Sequence, residues 1–480
     1  MQENRTEQDA GASPHAMPRL MIAAPHGRSG KTVLTLGLLR ALSDRGLAVQ
    51  PFKKGPDFID AGWHGAAARR DARNLDCFFM DDPTLRAVLT TAGRGADLCV
   101  VEGAMGLFDG LDVEGSSSSA EVAKRLGLPV VLVVDVTRMT RTTAAVVQGL
   151  AGFDDGLTVA GVLLNRVQGA RQEKLVRAAV ERYCGIPVVG ALPKDARMDI
   201  PDRHLGLTSS AEARDKDAFL DDIAAVVRQH VDLDALLRIA AAAPPVPDEG
   251  PPRRPAALAG GARVKIAVVR DRAFSFYYPE NLQALEDAGA QLVFADSLED
   301  ASLPEDACGL YVGGGFPEVF AEQLHGNAAF RASVRRFAER GLPVCAECGG
   351  LMYLARRLTC AQGTYDMAGV LDLDVAMEEK RQGHGYAVAV AGEDHPWLPA
   401  GTVLTGHEHH HSRVARCGSP VRFAYENVRG RGIAGRCDGA VRDNVVASYL
   451  HVNALASPSW AAGFVGAARA KRDAPDDAPS

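Results

Sequence analysis

Hydrophobic positions in this chain fall into short unbroken runs separated by stretches with a helical period. Arg19-Leu20-Met21-Ile22-Ala23-Ala24, Ala48 to Phe52, Asp97 to Glu102, Pro129 to Asp135 and Val159 to Asn165 are runs of this kind. They read as strands buried on both faces. Between them, Val33, Leu36, Leu38, Leu39 and Leu42 fall on one helical face, and Thr142 to Leu150 and Glu173 to Tyr183 are amphipathic. Alternating strands and helices predict an α/β fold with a parallel, doubly wound sheet, whose binding crevice lies at the carboxyl ends of its strands. A helix over Ala218 to Ala242 precedes a Pro- and Ala-rich stretch containing Pro244-Pro245-Val246-Pro247 and Pro251-Pro252-Arg253-Arg254-Pro255. That composition predicts an exposed, semi-rigid linker. A second αβ pattern opens at Val264 to Val269. It continues through Ala307 to Val312 and through Leu342 and Val344 into a helix carrying Leu351, Met352, Leu354 and Leu358. The expected organisation is a disordered leader over 1–17, a first domain over 18–242, a linker over 243–262, a second domain over 263–470 and a fraying tail over 471–480.

Composition narrows the class. A chain of 480 residues with 47% hydrophobic positions can fill two cores. The formal net charge of −7 lacks a basic signature for nucleic acid. Nine cysteines, scattered and odd in number, argue against a disulfide framework. The polar first residues lack the apolar core of a signal peptide, and no run approaches membrane-spanning length. The expected location is the cytoplasm, with small-molecule substrates and neither nucleic acid nor membrane as partner.

Candidate chemistry gathers at the ends of the predicted strands. Pro25-His26-Gly27-Arg28-Ser29-Gly30-Lys31-Thr32 sits between a strand and a helix, the setting of a phosphate-binding loop. Gly27 and Gly30 let backbone N–H groups approach phosphates, Lys31 reaches the outer ones, and the Thr32 hydroxyl can hold Mg²⁺. Pro25 stands where such loops usually begin with glycine. The next strand runs into Lys53-Lys54-Gly55-Pro56-Asp57-Phe58-Ile59-Asp60. Lysines beside carboxylates suit phosphoryl transfer, since the cations neutralise the transferring group and the acids hold metal or polarise the acceptor. Glu102, at the end of another buried strand, is placed as a second metal-holding acid.

The second half centres on Val344-Cys345-Ala346-Glu347-Cys348-Gly349-Gly350-Leu351-Met352-Tyr353. A strand, a small-residue turn with a thiol and a helix start make a nucleophile elbow, with Cys348 as nucleophile because paired glycines follow it. A buried structural thiol and a Cys345/Cys348 redox or metal pair are the alternatives; no second C-x-x-C completes a zinc site. Gly313, Gly314 and Gly315 follow a strand and are candidates for an oxyanion hole. His451 ends the apolar run Val446 to Leu450 and is the candidate base for Cys348. Gly406-His407-Glu408-His409-His410-His411-Ser412 reads as a polar strand facing a ligand in preference to a metal site. A phosphate site joined to a Cys/His acyl-transfer site suggests that ammonia released from glutamine is coupled to a carboxylate activated by ATP.

These stretches together resemble the cobyrinic acid a,c-diamide synthase family over almost the whole chain. The resemblance rests on Gly27 to Thr32, Gln50 to Asp60, Arg73-Asn74-Leu75-Asp76, Glu102 to Gly110, Ala273 to Asn281, Gly313 to Glu318, Ala346 to Tyr353, Gly383-His384-Gly385-Tyr386 and Ser448 to His451. It implies a P-loop ATPase half similar to dethiobiotin synthetase and a class I-type glutamine amidotransferase half. By resemblance, ATP is a co-substrate with Mg²⁺ held by Thr32, Glu102 and Asp57. Lys53 and Asp60 line an acyl-phosphate site, and Asn165 and Pro193 match adenine-contacting positions. Cys348 is the glutaminase nucleophile and His451 its base, with no third triad carboxylate evident. A corrin-like substrate would lie between the halves, with Gly406 to Ser412 among its contacts, and a homodimer is allowed.

The chain also departs from the family pattern. Asn453 stands where a second histidine is usual, Cys345 where an apolar residue is common, and His409 to His411 replace an aromatic-containing run. Relatives of this architecture amidate sirohaem or nickel-sirohydrochlorin, and the shared motifs do not separate these macrocycles. A non-catalytic ATP-dependent scaffold would be expected to have lost Lys31, Thr32, Glu102, Cys348 or His451, and all five are present. A simple glutaminase would leave the whole first half idle.

Overall fold

A computed structural model describes residues 14–198, 202–203, 206–207, 210, 215–252, 262–418 and 421–473. The chain divides into two compact units, Met1–Pro252 and Arg253–Ser480. In the first unit the apolar runs form strands β1 (Arg19–Ala23), β2 (Val49–Lys54), β3 (Arg73–Leu75), β4 (Leu98–Glu102), β5 (Val130–Asp135), β6 (Val159–Val167) and β7 (Val188–Pro193). They pair in the order β3-β2-β4-β1-β5-β6-β7, every pair parallel. All five residues of β1 and of β4 are buried, as a parallel sheet covered on both faces requires. The Lys31–Asp44 helix starts at Gly30, whose φ of 86° is in the left-handed region.

Several boundaries differ from the sequence pattern. β2 continues to Lys54, so both lysines are strand residues. The single helix expected over Ala218 to Ala242 is two helices, Lys216–His230 and Leu233–Ala241. The chain breaks because Val231 bridges to Gly190, Asp232 N–H donates to the Val189 carbonyl (2.8 Å), and the Asp232 carboxylate caps the second helix at Ala235 N–H (2.8 Å). Tertiary pairing and a cap override a continuous helical period. The leader is not wholly free: Pro14–His15 pairs antiparallel with Val246–Pro247, and Met17 is buried. The linker is not wholly exposed either. Val246 is buried, and Glu249 pairs with Arg86 at 2.7 Å. The rest of the expected leader (1–13), of the linker (253–261) and of the tail (474–480) lies outside the described residues, while the expected tail from 471 begins inside the Pro458–Asp473 helix.

The second unit contains β8 (Val264–Val269), β9 (Ala290–Ala295), β10 (Gly309–Val312), β11 (Val344–Glu347), β12 (Gly383–Ala391), β13 (Val403–His410), β14 (Arg422–Arg429), β15 (Cys437–Arg442), β16 (Val445–Ser448) and β17 (His451–Val452). They form one sheet in the order β9-β8-β10-β11-β16-β15-β14-β12-β13-β17. The stretch from β9 to β16 is parallel, and the pairs beyond are antiparallel. Arg357–Cys360, Gly363–Asp366, Leu373–Met377 and Ser412–Cys417 make a separate four-stranded sheet. The helix after Cys348 is short, Gly349–Leu354, and Leu358 belongs to a strand. The run Val446 to Asn453 is not one strand ending in histidine. β16 stops at Ser448, and His451 begins β17, which pairs with Gly406 and His407. The polar run Gly406 to Ser412 lies mostly in β13, as a strand. Among the described residues no group of three His, Cys, Asp or Glu side chains forms a metal cage, and no helix is long and apolar enough to cross a membrane.

One buried histidine of this unit makes stability depend on pH. His395 Nδ1 accepts N–H bonds from Leu398 (3.0 Å) and Trp397 (3.3 Å), so the ring must be neutral there. Its Nε2 pairs with the Tyr425 hydroxyl at 3.2 Å. Burial lowers its pKa to about 4, whereas an unfolded histidine takes up a proton below about 6.5. Between these values the unfolded chain binds more protons, so stability falls as pH falls. The loss is about 1.4 kcal/mol per pH unit for this residue. Urea unfolding at pH 7 and pH 4.5 should show a weaker pH slope in His395→Gln than in wild type; an unchanged slope would contradict the assignment.

Candidate active site

The first site lies at the carboxyl ends of β1, β2 and β4. Two left-handed residues, Arg28 (φ 60°) and Gly30 (φ 86°), shape the loop after β1. A Cβ on Gly30 would lie 2.3 Å from Asn165 Nδ2, so the position admits glycine alone without movement. Asn165 braces the loop: its Nδ2 donates to the Ser29 carbonyl (2.9 Å), and its Oδ1 accepts from Arg166 N–H (2.9 Å). Each amide atom thus makes one bond to backbone, and the second N–H of Nδ2 and the second lone pair of Oδ1 are not used by these bonds. Pro193 ends β7 and is half-buried; Gly27 sits against Met105.

Lys31 Nζ donates to the Met105 carbonyl (2.6 Å) and the His26 carbonyl (3.4 Å). Burial lowers its pKa to about 8 against the upward pull of Glu102. The Thr32 hydroxyl donates to Glu102 Oε1 (2.7 Å) and stands 3.4 Å from Asp60 Oδ2. Lys53 Nζ bridges Asp60 (2.6 Å) and Glu102 (2.8 Å). Burial works against the Lys53 ammonium, but Asp60 and Glu102 outweigh it and hold the pKa well above the ordinary value. For Glu102, burial opposes the charged form, and Lys53 and His64 overcome it, holding the carboxyl well below its usual range. Asp57 caps the Phe58–Ala68 helix, its Oδ1 accepting from Asp60 N–H (2.9 Å). Burial and then Asp60 raise its pKa to about 6. Asn74, from the Arg73–Asp76 run, donates to the Gly55 (2.7 Å) and Asp57 (3.1 Å) carbonyls and holds that loop.

Thr32, Lys53, Asp60 and Glu102 therefore converge, and Asp57 stands beside them. The structure adds His64, whose Nε2 lies 2.6 Å from Glu102 Oε2 with both side chains fully buried. Sequence reading passed over His64 because a lone histidine inside an apolar helix reads as core. The donor set suits Mg²⁺: Thr32, Asp57, Asp60 and Glu102 offer oxygen only, the preference of a hard cation. The Lys53 ammonium also bridges two of those acids, so the cluster stabilises positive charge.

The second site lies at the end of β11, between β10 and β16. Cys348 has φ 49° and ψ −97°, a left-handed, strained conformation for a non-glycine residue. Its N–H is fixed on the Ser448 carbonyl (2.7 Å), and the short helix starts directly after it. The tight turn depends on glycine. A Cβ on Gly350 would lie 2.3 Å from the Val312 carbonyl oxygen. The Cys348 thiol donates to the His409 carbonyl (3.9 Å), and His451 interacts with the Cys348 side chain. Its Nδ1 lies 3.7 Å from Glu347 Oε2, with both side chains buried. Burial disfavours the imidazolium, but Cys348 and Glu347 outweigh burial and raise the pKa to about 10. His407 stacks on His451 with centroids 4.8 Å apart, and the Tyr278 hydroxyl lies 3.1 Å from His407 Nδ1. Burial, with His451 next, holds His407 well below the ordinary histidine range.

The three glycines after β10 are not equivalent. Gly313 N–H is committed to the Tyr277 hydroxyl (2.7 Å), which removes it from the expected oxyanion set. A Cβ on Gly314 would lie 2.4 Å from His451 Cε1. Gly315 N lies 2.9 Å from a Cβ built on Gly349, so the two backbones meet beside the thiol. Gly314→Ala should therefore displace His451 and lower glutamine hydrolysis on the order of 10²-fold, a loss typical of a misplaced catalytic group. Wild-type hydrolysis in that variant would show that His451 does not need its present place.

Cys345 is not a partner of Cys348. Both are free thiols, and they pack in different cores on the two sides of the sheet. Burial raises the Cys345 pKa far above the usual thiol value. Asn453 does not reach His451 as a triad member would, because its Oδ1 accepts from Leu455 (3.1 Å) and Ala456 (3.2 Å) N–H.

Comparison with known proteins matches the two halves of the chain to two family models. Residues 20–207 match the CobQ/CobB/MinD/ParA nucleotide binding domain. Residues 265–459 match the CobB/CobQ-like glutamine amidotransferase domain. A nucleotide-binding unit joined to a glutamine amidotransferase unit defines a glutamine-dependent, amide-forming ligase. The chain is 45% identical over 451 residues to the cobyrinate a,c-diamide synthase of Magnetococcus marinus, covering 93% of this chain and 96% of that protein. It is 43% identical over 464 residues to the enzyme of the same name from Archaeoglobus fulgidus, covering 96% and 99%. The chain belongs to the cobyrinate a,c-diamide synthase family.

Proposed function

We propose that this enzyme amidates the a- and c-acetate carboxylates of cobyrinic or hydrogenobyrinic acid in cobalamin biosynthesis, in the cytoplasm, using ATP and glutamine. The observation that carries the reading is the Thr32–Lys53–Asp60–Glu102 cluster beside the phosphate loop, in a chain whose other unit presents a Cys348–His451 pair on a strained elbow.

In the first unit, the loop backbone and Lys31 hold the ATP phosphates, and Lys53 steadies charge on the transferring phosphoryl group. Thr32, Glu102 and Asp57 would hold Mg²⁺, which would supply charge neutralisation on the phosphate oxygens. The substrate carboxylate attacks the γ-phosphorus, ADP leaves, and an acyl phosphate forms. In the second unit, Cys348 attacks the glutamine amide, and Gly315 and Gly349 N–H groups stabilise the oxyanion. His451 delivers the proton to the departing ammonia. Water releases glutamate from the thioester. Ammonia displaces phosphate from the acyl phosphate and leaves the amide.

An amidation assay read by mass spectrometry tests the substrate. Cobyrinic acid, hydrogenobyrinic acid, sirohaem and nickel-sirohydrochlorin are offered in parallel with ATP and glutamine. A doubly amidated corrinoid is expected. Amidation of sirohaem or nickel-sirohydrochlorin alone would keep the chemistry and overturn the corrin assignment.

A further inference from the structure

The Asn453 side chain is occupied by the turn that follows it, so the acid that orients the catalytic histidine must come from elsewhere if there is one. We infer that Glu347, the residue preceding the nucleophile, is the positioning carboxylate of the glutaminase site, holding the His451 ring at Nδ1. The inference rests on the glutaminase role proposed for Cys348 and His451.

Geometry carries it. Glu347 Oε2 stands 3.7 Å from His451 Nδ1, an ion-pair separation. The carboxylate is itself fixed at both oxygens: Oε2 accepts from the Tyr311 hydroxyl (3.1 Å), and Oε1 accepts from Val452 N–H (3.3 Å). Tyr311 is fully buried and packed edge-on between Tyr277 (5.2 Å) and Trp460 (5.4 Å). The acid is therefore anchored to β10 and β17 at once, and Val452 is the neighbour of the histidine it orients. A buried carboxylate needs such partners. Glu347 also has a ring nitrogen of the proposed base facing it, which two structural hydrogen bonds alone would not require.

The groups around His451 give the arrangement its sign. From the elbow, Glu347 and Cys348 favour the imidazolium. From β13, His407, His409 and His410 disfavour it, as neighbours that would share positive charge. With His407 stacked on the ring and buried neutral, Glu347 is the acid that can steady positive charge on His451 when Cys348 gives up its proton.

The test uses the full-length protein and three variants, Glu347→Gln, Glu347→Asp and Cys348→Ala. The expected result for Glu347→Gln is a fall in glutamine-dependent kcat on the order of 10²-fold or more. The KM for glutamine and the ammonia-supported amidation should stay near wild type. Glu347→Asp, which keeps the charge on a shorter arm, should recover part of the loss. The pH profile of Cys348 alkylation by iodoacetamide should move upward in Glu347→Gln, because the thiolate–imidazolium pair loses its support. A purely structural Glu347 would give loss of both activities with no recovery in the aspartate variant, and that outcome overturns the inference. So does a wild-type alkylation profile in Glu347→Gln. If Cys348→Ala itself keeps glutamine use, the glutaminase reading fails, and this result is distinct from either outcome at Glu347.

Discussion

Replacing Cys348 with alanine is expected to abolish glutamine-supported amidation and leave ammonia-supported amidation near the wild-type rate. In the proposed mechanism the thiol forms the new bond to the glutamine carbonyl, and its described neighbours Ser448 and Cys345 are not placed to take over. Ser448 lies on the adjacent strand, but its hydroxyl donates to the Leu450 carbonyl (3.2 Å). Cys345 faces the other core. Loss of a covalent nucleophile costs on the order of 10³-fold or more in comparable acyl-transfer sites. The small change from Cys to Ala in a turn already held by Cys348 N–H and Ser448 leaves the elbow backbone its partners. Initial rates with glutamine and with ammonium chloride, measured on one preparation, check the prediction. Equal loss with both donors would mean that the two chemistries are not separable as described.

Replacing Lys31 with alanine is expected to stop amidation with either nitrogen donor. Its ammonium is buried and donates to carbonyls on two loops, so the variant loses both the proposed phosphate partner and a tie between those loops. A charge-stabilising donor aimed at a developing anion is worth roughly 3 kcal/mol, about 10²-fold in rate. Glutamine hydrolysis by the second unit serves as the folding control. Full amidation activity in Lys31→Ala would remove the phosphate-loop assignment.

The parts of the fold most legible in the sequence were those where one physical requirement dominates. β1, β4 and β5 are apolar except for one charged residue at an end, Arg19, Glu102 and Asp135, because both faces of their sheet are covered. The loop from His26 to Thr32 follows β1 and Glu102 ends β4, as the apolar runs led one to expect, whereas Asp60 lies in the first turn of the Phe58–Ala68 helix. The Ala218 to Ala242 stretch misled, since its helical period continues through a point where Val231 is taken by a bridge to Gly190. Leu358 misled likewise, its spacing fitting a helix that has already ended at Leu354. Asn165 lies where the family pattern puts it, but its amide is turned to Ser29 and Arg166, a matter of side-chain direction that spacing does not encode. His64 and Glu347 were beyond reach for a different reason. Each acts through a partner distant in sequence, Glu102 for the one and His451 for the other. His64 sits in the Phe58–Ala68 helix with an apolar burial pattern around it. Glu347 is an acid at the end of a buried strand, where its role is set by which neighbour closes over it, here β17.

The central claim is that the carboxylate is activated by phosphorylation before ammonia reaches it. Substrate labelled with oxygen-18 in its carboxylates tests this directly, with ATP and glutamine supplied and the released inorganic phosphate examined by mass spectrometry. The mechanism predicts that each amide formed sends one labelled oxygen into phosphate, because the attacking carboxylate oxygen leaves with the phosphoryl group. Amide formation with unlabelled phosphate would contradict the acyl phosphate and with it the role given to Lys53, Asp60 and Glu102.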